Sequence, residues 1–199
     1  LIKPPVDHIV SMLREFEFRL SHPLRSDAFY SLGNMLNFSV IQDNGQPIEF
    51  SNAFGWRAYY DRPVYDRNWL NASSMVSRNS HFQTIIGGYL HTYTSRDFWK
   101  MDFDLVELCL KNFGNRARYD NTLAEDLLSW LVVVPLCSES KVRFQEKLKD
   151  HAMSRGSKLS DLFASYFEDP TNQYIKDRIQ ERIREALIYL NTTEEFHLI

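Results

Sequence analysis

The chain has 199 residues, 44% of them hydrophobic and 25% charged, a composition that excludes disorder as the main state. Its net charge of −3 and pI near 6.1 exclude the basic footprint of a dedicated duplex-DNA binder. No apolar run approaches the roughly 18–20 residues of a membrane-spanning helix, and two cysteines do not make a disulfide framework.

Residues 4–20 open with two prolines, which a first helical turn tolerates, and place Ile9, Met12, Leu13, Phe16 and Leu20 on one face. An amphipathic helix is expected there. A second is expected over 25–38, with Ser26 as N-cap and Phe29, Leu32 and Leu36 inward. The period then changes. Over 38–50, short apolar runs flank Asp43-Asn44-Gly45, and Asn-Gly suits the positive φ angles of a type I′ turn. A small β-hairpin is expected, with Pro47 putting its second strand at an edge. An irregular loop rich in aromatics and arginine, 51–71, follows it.

From residue 72 the helical spacing returns through Met75, Phe82, Ile85, Ile86, Tyr89 and Leu90, with Gly87-Gly88 as a possible break. Residues 102–114 read as a complete helix with an acidic start and Gly114 as its C-terminal cap. Thr122-x-x-Glu125 has the form of a capping box. The helix it opens is apolar nearly all round as far as Val134 and is expected to be the central buried one, ending near Pro135. Two shorter amphipathic segments, 138–153 and 157–167, come next. The last helix, 170–190, carries Ile175, Ile179, Ile183 and Leu187 every four residues, with Ala186 and Leu190 beside them. Its other residues, Arg182 among them, read as a solvated charged face. The expected fold is a single mostly α-helical domain over 1–199, of about 7–8 helices, with the hairpin and the loop as insertions.

Catalytic signatures are scarce. Cys109 and Cys137 lie 28 residues apart in apolar surroundings and read as buried reduced thiols, and no His-Glu-x-x-His or paired-cysteine zinc pattern occurs. There is no glycine-rich phosphate loop and no Gly-x-Ser-x-Gly. No metal, cofactor or catalytic residue is therefore assigned. A hydrolase built on Arg78, His81 and His91 stays open, since the two histidines fall roughly 80° apart on a helix. Asp102, Asp104 and Glu107 read as residues of a helix start rather than metal ligands.

The richest stretch is 54–69, which holds Trp56, Arg57, Tyr60, Arg62, Tyr65, Arg67 and Trp69. Such side chains stack on single-stranded bases and hold phosphates, but Asp61 and Asp66 directly precede two of the arginines and dilute their field. The same types dominate protein-binding hot spots. They also pin a long connection over a helical core. The expectation is a packed stretch that also grips a protein partner through those seven residues.

The function expected is accordingly a non-enzymatic binding protein with a protein partner, such as an assembly subunit, an inhibitor or an immunity-type protein, in the cytoplasm. The alternative is a single-stranded nucleic-acid binder using the same stretch. Charge is uneven: residues 101–199 carry 13 Lys and Arg against 17 Asp and Glu, so this half would steer a basic partner.

Overall fold

The computed structural model describes residues 5–20, 72–87, 89–90, 99–102, 104–149 and 157–198, together with residues 3, 30, 33 and 34. The chain groups into two compact units, Leu1–Phe103 with Ile199, and Asp104–Leu198. Mainly helical structure is what the described residues form, with seven α-helices among them. The expected hairpin at 38–50 and loop at 51–71 lie outside the described residues, as does almost all of the expected helix at 25–38. No helix among those described is long and apolar enough to cross a membrane.

In the first unit, helix α1 (Pro5–Glu15) buries Ile9 and Met12, and Phe16 just beyond it is also buried. The three recur at the spacing of one helical face. The helix stops in a Schellman arrangement: the Phe18 amide bonds the Leu13 carbonyl at 3.0 Å and the Glu17 amide bonds that of Arg14 at 3.1 Å. Glu17 consequently takes φ +48°, a conformation that favours glycine. Phe16 meets Phe82 of helix α2 (Ala72–Ile86) edge to face at 6.3 Å. After Ile86 the chain enters strand β2 (Tyr89–Leu90), so Tyr89 and Leu90 extend a strand rather than the helix. A three-stranded antiparallel sheet has β3 (Trp99–Asp102) at its centre, with β1 (Arg19–Leu20) pairing Arg19 to Asp102 and β2 pairing Tyr89 to Lys100.

The second unit holds α3 (Leu105–Phe113), α4 (Asp120–Leu131), α5 (Ser138–Lys149), α6 (Leu159–Glu168) and α7 (Gln173–Asn191). Short 3-10 turns lie at Gly114–Arg118 and Glu195–His197. The expected helix at 102–114 is present but begins later, because Asp102 belongs to β3. Its cap is the one read from sequence: Gly114 has φ +56° and its amide bonds the Leu110 carbonyl.

Three expectations are corrected here. Thr122 does not cap α4, which starts at Asp120. Its hydroxyl instead donates to the carbonyls of Arg116 at 2.6 Å and Tyr119 at 3.1 Å. That helix also ends at Leu131, leaving Val133 and Val134 exposed, and it is not the centre of the unit. The centre is α7, which packs against α3, α5 and α6. Its Ile179, Ile183, Leu187 and Leu190 are fully buried, each worth about 1.5–3 kcal/mol of apolar transfer. Finally, Arg182 is not on a solvated face. It is 1% exposed, three residues after Ile179 and four before Ala186, inside the arc that neighbouring helices cover.

Candidate functional site

Two polar arrangements organise the second unit, and both are tied into its framework. Asp104 caps α3, accepting the Val106 and Glu107 amides at 3.0 Å each, and also accepts from the Gln180 amide at 3.1 Å and pairs with Lys176. It thus fastens the start of α3 to the first turns of α7. Burial raises the Asp104 carboxyl pKa, but Lys176, the Glu107 amide and Gln180 outweigh that and hold it below the ordinary value. The helix-start reading of Asp104 holds.

The second arrangement surrounds Arg182. One guanidinium nitrogen donates to the Ser157 carbonyl. Asp120 feels the charges of Arg182, Lys149 and Asp161, which come from α7, α5 and α6. Burial raises the Asp120 pKa, Arg182 and Lys149 oppose it, and the net shift is upward. His197, fully buried, donates through Nε2 to the Asn191 carbonyl at 2.8 Å. Arg182 thus ties α7 to the segment before α6, and His197 ties the last 3-10 turn to the end of α7. No group of metal-ligating residues occurs among the described residues.

A third arrangement faces outward. The 3-10 turn Gly114–Arg118 is pinned on several sides. Ala117 is fully buried, Arg116 makes a bidentate pair with Asp126 at 2.8 and 2.9 Å, and Thr122 holds the Arg116 carbonyl. The turn delivers Arg118 onto the ring of Phe167 near the end of α6, with the guanidinium carbon 3.9 Å from the ring centroid. The α6 pattern explains the ring's placement. Leu159, Leu162 and Phe163 face the core, and one turn on Tyr166 and Phe167 step out of it. Phe167 stacks on buried Phe163 with centroids 6.4 Å apart and meets Tyr166 edge to face at 5.9 Å. It remains 38% exposed, and Tyr119, next to Arg118 in the chain, is 60% exposed. The result is an arginine laid on a half-open aromatic platform, with an exposed tyrosine next to it in the chain. Sequence reasoning missed it because Arg118-Tyr119 and Tyr166-Phe167 lie far apart in the chain.

Of the residues singled out from sequence, Trp56, Arg57, Tyr60, Arg62, Tyr65, Arg67, Trp69 and His91 lie outside the described residues. Arg78 is fully buried in α2 and donates to the Lys3 carbonyl at 3.0 Å, so it ties α2 to the N-terminal residues. His81 is one turn further along the same helix and half-buried. Both cysteines are free, but only Cys109 is buried; Cys137 is exposed at the start of α5, correcting the expectation of two buried thiols. Its Sγ accepts the Ser140 amide at 3.5 Å and lies 3.2 Å from the Ser140 hydroxyl, contacts that lower its pKa. Burial pushes the Cys109 thiol up to about 12.

No family model matches the chain, and neither a curated protein nor a solved structure shows significant similarity to it.

Proposed function

We propose that this chain is a non-enzymatic, mainly helical binding protein that acts through a protein partner, as an assembly subunit, an inhibitor or an immunity-type protein. One observation carries the reading: Arg118 on the exposed ring of Phe167 beside the exposed Tyr119. Arginine and aromatics that are held rigid before contact lose little entropy on binding, which is why they anchor interfaces. The stretch 54–69 has the same hot-spot composition, and Trp56, Arg57, Tyr60, Arg62, Tyr65, Arg67 and Trp69 are proposed as a second contact region. A cytoplasmic setting accords with two free cysteines.

The test is affinity capture from source cells with wild type, Phe167→Ala and Trp56→Ala run in parallel, read by quantitative mass spectrometry. A protein held by the wild type and lost by a variant that keeps the wild-type circular dichroism supports the reading. It is wrong if no protein depends on either position. It is also wrong if single-stranded RNA or DNA instead quenches the tryptophan fluorescence saturably, with affinity falling steeply as salt rises.

A further inference from the structure

We infer that Arg118 is the receptor for a single carboxylate, an Asp or Glu side chain presented by the protein partner. The inference rests on the partner-binding reading above and names the chemistry read at that surface.

Four other arginines of the second unit have acceptors within the protein. Arg116 is paired with Asp126, Arg143 with Glu139, Arg178 donates to the Tyr174 hydroxyl at 2.7 Å, and Arg182 donates to the Ser157 carbonyl. Arg118 has no such acceptor among the described residues. Its Nε is buried and makes no hydrogen bond, and no carboxylate among the described residues pairs with its guanidinium. Stacking on Phe167 nevertheless holds the planar group in place. With Nε buried, the two Nη groups remain, which have no acceptor among the described residues, and such a pair of nitrogens matches a carboxylate with two parallel N–H···O bonds. Phe167, 38% exposed, supplies apolar area at the contact.

Local charge selects among anions. Glu168 and Asp169 are both exposed and directly follow Phe167. They would repel the repeated charges of a nucleic-acid backbone or a doubly charged phosphate more than a single carboxylate.

The experiment pans a displayed library of random peptides on the full chain. The selected peptides should share an Asp or Glu. Their affinity should fall about tenfold or more with Arg118→Gln, the size of a lost charge-assisted hydrogen bond. Replacing the peptide's acid by its amide should cost as much against wild type, and nothing further against Arg118→Gln. Should Arg118→Gln not fold, Arg118→Lys and Phe167→Leu with the amide peptide make the same comparison. Peptides without a shared acid, or indifferent to Arg118, overturn the inference while leaving partner binding intact. Arg118-dependent binding of a phosphopeptide or of oligothymidylate in preference to the acidic peptide also overturns it. A library that yields no binder counts against both readings.

Discussion

Replacing Asp104 by alanine should cost the protein about 2–3 kcal/mol, from two separable contributions. The first is the helix cap. Asp104 accepts two of the amides that α3 cannot satisfy internally, and losing such a cap typically costs about 1 kcal/mol. The second is the link to α7 through Lys176 and Gln180. The paired side chains are 24% and 23% exposed, so the link is worth more than a fully solvated ion pair and less than the 3–5 kcal/mol lost on breaking a buried one, hence about 1–2 kcal/mol. Asp104→Asn keeps an oxygen that caps and accepts from Gln180 and gives up the charge, so it should lose only the Lys176 pair within the second part. Urea denaturation followed by far-UV circular dichroism measures all three proteins. Equal losses for Ala and Asn would show that the cap contributes nothing, and a loss below about 0.5 kcal/mol for Ala would refute the whole assignment. Acidity gives an independent check. The folded Asp104 carboxyl lies below its ordinary 3.8, so its contribution is complete above that value and fades as pH falls through the folded one. The gap between wild type and Asp104→Asn should therefore be level from neutrality to about pH 5 and close below about pH 4.

Three further outcomes follow from the same kind of reasoning. Glu17→Gly should stabilise the first unit by up to about 1 kcal/mol, since φ +48° strains a side chain there, and an unchanged denaturation midpoint would refute it. Asp120→Asn should raise stability at neutral pH by less than about 1 kcal/mol, the half-exposed carboxylate being partly screened. The folded Asp120 pKa is raised, so the aspartate favours folding below its ordinary value and loses that contribution as pH rises; the gain from asparagine should vanish near pH 3, roughly. Maleimide at neutral pH should modify Cys137 long before Cys109 in the native protein, with peptide mapping as the readout; equal rates would mean that the burial of Cys109 is wrong.

What could be read along the chain was whatever neighbours three or four residues apart decide. The ladder Ile179, Ile183, Leu187 makes a helix with a core face wherever it is placed. Asp104 and Gly114 bracket α3 because a carboxylate accepts free amides and a glycine accepts positive φ, both local facts. The failures were of another kind. Thr122 and Glu125 have capping-box spacing, but the 3-10 turn before them carries the chain into helix two residues earlier, and the hydroxyl is spent on that turn. An apolar run through Val134 suggested a central helix from Thr122 to near Pro135, whereas centrality depends on how many other elements surround a helix, and α7 has more of them. Arg182 sits on the covered arc of α7, and its position between Ile179 and Ala186 was the available sign; charge alone suggested solvent. Arg118 and Phe167 could not have been paired from sequence at all. Helical periodicity is set by backbone hydrogen bonds within a few residues, and the chain alone determines it. A guanidinium reaches a ring 49 positions away only after several helices have packed, so that surface was decided by the tertiary structure.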